Sequence, residues 1–154
     1  MSELSEGQEF SPPLNRMAIA ILALLGLSVG LYMWAYAAGL TGSVICGVGN
    51  CEAVQNSEYS RIAGIPVAAF GVLGYSLLLV SALLGLQPGF RSSRLIPGVL
   101  FWGGAAGVLF SGYLTYLEAF VIHAWCQWCV SSAIIMVLAF LAAIPEFKRT
   151  GGLL

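Results

Sequence analysis

The sequence predicts an all-α membrane protein: a bundle of four transmembrane helices, with an extracytoplasmic loop and a short lid helix between the first and second spans. Of the 154 residues, 59% are hydrophobic and only 8% are charged, whereas about a quarter of the residues in a soluble domain are charged. The charged residues also lie far apart. Each gap between them contains roughly 20 apolar residues, the length that crosses the hydrocarbon core of a bilayer. The gaps run from Arg16 to Glu52, Arg61 to Arg91, Arg94 to Glu118 and Glu118 to Glu146.

These gaps define one four-helix domain over residues 17–145, with tails at 1–16 and 146–154. The links after the second and third spans are short, so successive helices are expected to be antiparallel neighbours. Loop 39–64 is the only sizeable element outside the membrane. Within it, residues 52–61 combine polar and apolar positions and predict a short helix that lies on the bundle as a lid. The spans are predicted at 17–38, 65–86, 96–117 and 125–144.

The basic residues predict the orientation of the bundle in the membrane. Cytoplasmic flanks of membrane helices are enriched in Lys and Arg. Loop 39–64 contains one basic residue, Arg61, and the other basic residues flank the opposite face. Both termini are therefore expected in the cytoplasm, and loop 39–64 and the turn at 118–124 on the oxidising, extracytoplasmic side. The residues on the cytoplasmic face are Arg16, Arg91, Arg94, Lys148 and Arg149.

Four cysteines in two close pairs are the chemically informative residues. Cys126-Gln-Trp-Cys129 stands at the start of the fourth span, where both sulfurs share one helix face and the helix N-terminus favours a thiolate. We interpret it as a redox-active pair. Cys46 and Cys51 lie in a Gly-rich loop, either as a shuttle that exchanges with the membrane pair or as a structural disulfide. Four cysteines allow three pairings, and a zinc site is a weaker alternative.

The neighbours of the CxxC pair have less specific roles. His123, three residues before Cys126, is interpreted as interfacial rather than catalytic. Trp125 and Trp128 fit the aromatic belt found at membrane surfaces. Glu118 marks the outer end of the third span and is expected to be solvated. The net charge of −1 and the lack of a basic patch give no indication of a nucleic-acid partner.

The order of these features resembles the vitamin K epoxide reductase family, especially its bacterial and archaeal homologues. The features are the C-x4-C loop, a serine six residues later, Phe70-Gly71 with Tyr75, and a CxxC pair at the head of the last span. The resemblance covers about residues 15–145. It implies that four helices surround a quinone, which is ubiquinone, menaquinone or a related molecule.

The resemblance also implies roles for individual residues. Cys126 and Cys129 would form the active-site pair, with Cys129 nearest the quinone ring. Cys51 would exchange with Cys126, and Cys46 would meet an external partner. Ser57 corresponds to the family's loop serine close to the quinone. Further candidates for the quinone pocket are Phe70, Tyr75, Tyr113 and Tyr116.

The chain departs from the family pattern at two positions. The mammalian enzyme has an asparagine shortly before its Phe-Gly and a tyrosine four residues past its CxxC, both at the vitamin K site. This sequence has Val67 and Ala133 there, so quinone reduction is expected rather than epoxide reduction. Many bacterial relatives carry a fused thioredoxin-like domain, whereas this sequence ends at Leu154, so a separate partner is expected.

The sequence therefore predicts a membrane thiol–quinone oxidoreductase of the inner or plasma membrane. It would reoxidise a soluble thioredoxin-like or DsbA-like protein, pass electrons through both cysteine pairs to the quinone, and support disulfide formation in exported proteins. No metal cofactor is expected. One alternative is reduction of vitamin K, its epoxide or a quinone by another thiol donor. The other is a non-enzymatic membrane scaffold with two structural disulfides.

Overall fold

The computed structural model describes residues 14–90 and 92–149. Four of its helices are long and apolar enough to cross a membrane, which confirms the all-α membrane fold. Most of the predicted tails, at 1–13 and 150–154, lie outside the described residues, as does Arg91. The helices are α1 (Leu14–Ala37), the short α2 (Cys51–Gln55), α3 (Val67–Leu86), α4 (Leu95–Tyr116) and α5 (Gln127–Arg149).

Small residues allow the long helices to pack closely. A Cβ atom at Gly26 of α1 would enter the ring of Tyr75 on α3, and a Cβ atom at Gly107 of α4 would meet Met136 on α5. Close approach at glycine is typical of membrane helices, whose association depends on packing rather than on hydrophobic burial. The outer faces carry exposed Leu and Ile side chains. Such a surface suits contact with lipid and would be a liability in water.

A buried ion pair closes the end of the bundle that lies far from the cysteines. Arg16 on α1 donates from Nε to Oε2 of Glu146 on α5 at 2.8 Å. Its Nη1 donates to the backbone carbonyl of Gly85 on α3 at 2.6 Å. The sequence places Arg16 among the charges that flank the bundle, whereas its side chain is buried inside the bundle. It therefore links three helices.

The segment between α1 and α3 is more broken than the predicted lid helix over 52–61. Helix α2 begins after Asn50, whose side chain accepts from the Ala53 N–H at 3.1 Å. It ends at Gln55 because Ser57 bonds back to the Val54 carbonyl at 2.7 Å, a local bond that competes with helix continuation. A 3₁₀ turn at Glu58–Ser60 follows, and then the strands β1 (Arg61–Ile62) and β2 (Ile65–Pro66) pair antiparallel.

The connection between α4 and α5 differs from the predicted turn over 118–124. Helix α4 continues as a π-helical segment, Leu117–Ile122, and ends at His123, which adopts the left-handed conformation with φ 57°. Cys126 immediately precedes α5, and its carbonyl accepts the first helical hydrogen bond, from the Val130 N–H at 3.0 Å. The widened turn directs Glu118 inward. Glu118 is 3% exposed, so the expectation that it is solvated is wrong.

Candidate active site

The two cysteine pairs meet at one end of the bundle. Cys46 and Cys51 form a disulfide with their Cα atoms 6.0 Å apart, while Cys126 and Cys129 are free thiols. Cys51 and Cys126 are 1% and 0% exposed and belong to one apolar cluster with Met33, Val44 and Val54. The structure therefore has an oxidised loop pair packed on a reduced membrane pair.

Backbone pairing aligns the two cysteine segments. Gly49 forms an isolated antiparallel bridge with Cys126, and the Asn50 N–H donates to the Trp125 carbonyl at 2.7 Å. Gly49 has φ 90°, and a Cβ atom there would collide with the Trp125 carbonyl, so glycine is required by both conformation and space. The next residue but one is Cys51, which is thereby held in the same buried cluster as Cys126.

The two residues between the membrane cysteines also bind the loop. Gln127 accepts the Val48 N–H on its Oε1 at 2.8 Å, and Trp128 donates its indole N–H to the Ile45 carbonyl at 2.7 Å. The Ile45 N–H in turn donates to the Tyr32 hydroxyl at 2.9 Å, and the Tyr32 and Trp128 rings lie 5.1 Å apart. Trp128 therefore has a specific partner, beyond the aromatic belt that its position indicated.

Cys126 has the electrostatics of a nucleophile. Its pKa is lowered from 9.0 to about 7, first because the Cys129 thiol hydrogen bonds to its sulfur. The backbone N–H groups of Cys129 and Trp128 lower the pKa further, while burial and the negative charge of Glu118 oppose the shift. A thiol with this pKa is about half ionised near neutral pH, and the thiolate is the reactive form.

An apolar cavity of about 140 Å³ lies beside Cys129, between the long helices and the lid, which is the segment from α2 through the 3₁₀ turn at Glu58–Ser60. Of the predicted site residues, Cys129, Ser57, Phe70 and Tyr75 line it. An engineered apolar cavity of about 150 Å³ holds benzene, so the space suits one flat ring. Other lining residues include Met33, Val67, Phe110, Leu114, Glu118, Trp128 and Ser132.

Tyr113 and Tyr116 are not brought to this cavity. Helix α4 lines the cavity with Gly107, Phe110, Ser111, Leu114 and Thr115, which share one face at helical spacing. The two tyrosines project from another side of the same helix, where both are exposed, and Tyr116 packs on Phe120 at 5.2 Å between ring centroids.

Two polar residues to which the sequence assigned no role at the site contact the CxxC pair. Gln55 donates from Nε2 to the Cys129 sulfur at 3.6 Å; its only signal was its position four residues after Cys51, on the same face of α2. Glu118 accepts the Cys126 backbone N–H on Oε2 at 3.1 Å, and the Cys129 thiol also hydrogen bonds to its carboxylate. His123 is exposed, and its described hydrogen bond is made by its backbone N–H, which donates to the Glu118 carbonyl.

The predicted polar cavity residues are already partly engaged. The Tyr75 hydroxyl donates to the Ser132 carbonyl at 2.6 Å and lies 2.9 Å from the Ser132 hydroxyl. The Ser57 hydroxyl donates to the Val54 carbonyl, so its oxygen is left to accept. Among residues 14–90 and 92–149, no group of three or more His, Cys, Asp and Glu side chains is arranged to hold a metal ion.

Comparison with known families agrees with this architecture. The model of the vitamin K epoxide reductase family matches residues 17–144, a range that contains all four cysteines and the cavity. The chain belongs to the vitamin K epoxide reductase family. Membership implies a membrane oxidoreductase that couples thiol–disulfide exchange to a quinone or vitamin K as electron acceptor, and that works with thioredoxin-like proteins.

Proposed function

We propose that this family member reoxidises a soluble thioredoxin-like or DsbA-like protein and passes the electrons through both cysteine pairs to a membrane quinone, supporting disulfide formation in exported proteins. One observation carries the proposal. The Cys46–Cys51 disulfide is held by backbone pairing against the reduced Cys126–Cys129 pair, and Cys129 faces an apolar cavity among the long helices. The sulfurs thus form a path from the loop to the membrane interior.

The exposures of the two loop sulfurs suggest where the partner reacts. Cys46 is partly exposed, whereas Cys51 is buried beside Cys126. A partner thiolate therefore attacks Cys46, and Cys51 leaves as a thiolate next to the membrane pair. The second thiol of the partner then displaces Cys46, so that the partner leaves oxidised and the loop pair is reduced.

The internal transfer follows from the same geometry. The Cys51 thiolate attacks Cys126 of the membrane disulfide, and Cys129 is released. Cys46 then attacks Cys51, which frees Cys126 and restores the loop disulfide. The products are an oxidised loop pair and a reduced membrane pair, the redox state of the described structure.

The reduced membrane pair returns to a disulfide as its two electrons leave. A quinone, when bound, accepts two electrons and two protons. Cys129 is the cysteine that lines the cavity, and Phe70 and Tyr75 supply flat apolar walls. Val67 also lines the cavity and has no amide to bind an epoxide oxygen, while Ala133 lies in a separate outer groove. These positions favour a quinone over vitamin K epoxide as substrate.

The membrane orientation is part of the proposal. Arg94 and Lys148 lie at the end of the bundle opposite the cysteines, together with the Arg16–Glu146 pair. Arg61 lies at the cysteine end, where it donates to the Ala37 and Gly64 carbonyls. By the positive-inside rule, the cysteine end faces the extracytoplasmic compartment, where disulfides persist.

The test is quinone reduction by the purified protein in detergent, with dithiothreitol as donor and a short-chain ubiquinone or menadione as acceptor. Wild type is expected to turn over, and Cys126→Ala and Cys129→Ala to be inactive. Cys46→Ala is expected to lose turnover with a thioredoxin-like protein but to keep it with dithiothreitol. Retained quinone reduction in Cys129→Ala would contradict the relay. A wild type that reduces no quinone, and whose disulfides have reduction potentials below about −300 mV, would favour the structural scaffold instead.

A further inference from the structure

We propose that Glu118 is a catalytic residue of this site, which exchanges a proton with the Cys129 thiol while it fixes the backbone of Cys126. Its carboxylate hydrogen bonds to the Cys129 thiol and accepts the Cys126 N–H at 3.1 Å, and it lines the same cavity. Only the quinone step of this inference rests on the proposed function. The proton exchange with Cys129 stands on the contacts themselves.

The environment of Glu118 is unusual for a structural carboxylate. It is 3% exposed, and among the described residues the buried ion pair is Arg16–Glu146, at the other end of the bundle. A buried carboxylate without a cation partner is costly, and an ionisable residue inside a membrane bundle marks function more often than structure. Here its contacts are the two active-site cysteines.

The fold places this carboxylate by a local distortion. The π-helical segment Leu117–Ile122 widens the end of α4, and the left-handed His123 then reverses the chain. The Ala124 N–H donates back to the Glu118 carbonyl at 3.1 Å. This geometry points the Glu118 side chain toward Cys126, which lies eight residues later in the chain and immediately before α5. Such π-helical turns occur frequently at functional sites.

The step balances in electrons and protons. Glu118 takes the proton of the Cys129 thiol, and the thiolate sulfur supplies an electron pair toward the cavity. The Cys126 sulfur bonds to the Cys129 sulfur and closes the disulfide as it loses its own proton. Two electrons and two protons, one from Glu118 and one from Cys126, convert the quinone to its quinol. When Cys51 later opens that disulfide, Glu118 takes up one of the two protons released by the dithiol that reduced the loop pair, and passes it to the departing Cys129.

No other group at the cavity matches this role. Among the described residues, the titratable side chains that line the cavity with Glu118 are Cys129, Tyr59 and Tyr75, and Cys126 lies beside it. Among the described contacts, neither tyrosine hydroxyl bonds to the Cys129 thiol, and that of Tyr75 is already bonded to Ser132. His123 does not line the cavity.

The experiment follows the pH dependence of Cys129 alkylation in full-length protein without quinone. The parent carries Cys46→Ser, Cys51→Ser and Cys126→Ser, so that Cys129 is the remaining thiol. Glu118→Gln is added to it, because the Gln oxygen can still accept the Cys126 N–H but cannot take a proton. Glu58→Gln, at an exposed carboxylate of the lid, is the matched control. The iodoacetamide rate is measured from about pH 5 to about pH 9.

With Glu118 present, the alkylation rate of Cys129 should stay constant over a range of pH. In that range Glu118 and Cys129 share one proton, so the fraction of Cys129 thiolate does not depend on pH. Glu118→Gln should lose this range and slow about tenfold for each unit of decreasing pH, as a lone thiol does. Glu58→Gln should follow the parent. Matching profiles for the parent and Glu118→Gln would overturn the inference. If Glu118→Gln does not fold, Glu118→Asp is used instead. The lowest pH of the range in which the alkylation rate is constant should then decrease, since free aspartate titrates below free glutamate. If that pH does not change, the inference is overturned.

A second readout uses protein with all four cysteines. Glu118→Gln is expected to lower quinone reduction by about 10²-fold, within the range for loss of a general acid–base group, and a change of less than twofold would overturn its place in the quinone step. If the wild type reduced no quinone, the proposed function would fail. The alkylation profile would still decide whether Glu118 exchanges a proton with Cys129.

Discussion

Trp128 donates its indole N–H to the backbone carbonyl of Ile45 at 2.7 Å, so a residue inside the membrane CxxC motif holds the loop that carries the other cysteine pair. The hydroxyl of Tyr32 accepts the N–H of the same Ile45, and the Tyr32 ring packs on Trp128. The Gln127-Trp128 dipeptide between the two membrane cysteines therefore positions the loop disulfide relative to the membrane thiols.

Replacement of Trp128 by Phe should slow transfer between the pairs. The ring packing is kept but one hydrogen bond is lost, which is worth about 1 kcal/mol and corresponds to about a fivefold lower turnover with a thioredoxin-like donor. Dithiothreitol turnover in a Cys46→Ala, Cys51→Ala background should change much less, since the loop sulfurs are bypassed and phenylalanine keeps an aromatic ring where Trp128 lines the cavity. Trp125→Phe is the control, because the hydrogen bond of Trp125 to the loop uses its backbone carbonyl. Equal losses with both donors would contradict a positioning role.

Replacement of Gly49 by Ala should release the loop from the membrane pair. A Cβ atom at this position meets the Trp125 carbonyl, and φ is 90°, so the bridge to Cys126 must open. Alkylation of reduced Cys126 should then become faster, because the residue is no longer covered. Gly42→Ala has open space around its Cβ and an ordinary φ, and its alkylation rate should equal that of wild type. An unchanged rate in Gly49→Ala would show that the bridge does not cover Cys126.

The reactivity of Cys126 should depend on Cys129 through pH. The Cys129 hydrogen bond is the largest contribution that lowers the Cys126 pKa to about 7, so the thiolate is populated above that pH and lost below it. Removing the bond in Cys129→Ala should raise the pKa toward the ordinary value, so that less thiolate is present at neutral pH. Ultraviolet absorbance of the thiolate during a pH titration measures this directly, with the loop disulfide intact. A midpoint that stays near 7 in Cys129→Ala would assign the shift to the backbone N–H groups instead.

Four helices able to cross a bilayer were predictable, because the length and polarity that crossing requires are local properties of the sequence. The rotation of each helix about its own axis, which decides which residues face the cavity and which face the lipid, was not predictable. Lipid-facing and core-facing sides are both apolar, so periodicity does not distinguish Phe110, which lines the cavity, from Tyr113, which does not. Glu118 was misplaced for a related reason, since a charge at the end of a span looks solvated unless the π-helical turn that buries it is known. Gln55 had no signal beyond its helical spacing from Cys51.

The buried pair of Arg16 and Glu146 should be needed for stability but not for chemistry. Removing one partner leaves the other charge buried, which typically costs about 3–5 kcal/mol. Glu146→Gln and Arg16→Met should each lower the thermal stability in detergent, and the double variant should regain much of the loss. Quinone reduction measured well below the unfolding temperature should stay near wild type, because the pair lies at the opposite end of the bundle from the cysteines. Single variants as stable as wild type would show that the pair contributes nothing measurable.

The cavity wall at Phe70 should determine affinity for the electron acceptor. Phe70 lines the cavity and lies 6.2 Å from Phe110 between ring centroids. Phe70→Ala removes an aromatic contact worth about 0.5–1.5 kcal/mol, so KM for a short-chain ubiquinone should rise by about two- to tenfold while KM for dithiothreitol stays constant. Tyr113→Ala removes an aromatic ring of similar size from the outer face of α4 and should change neither constant. A larger rise of the quinone KM in Tyr113→Ala than in Phe70→Ala would place the acceptor outside this cavity, against the lipid-facing side of α4.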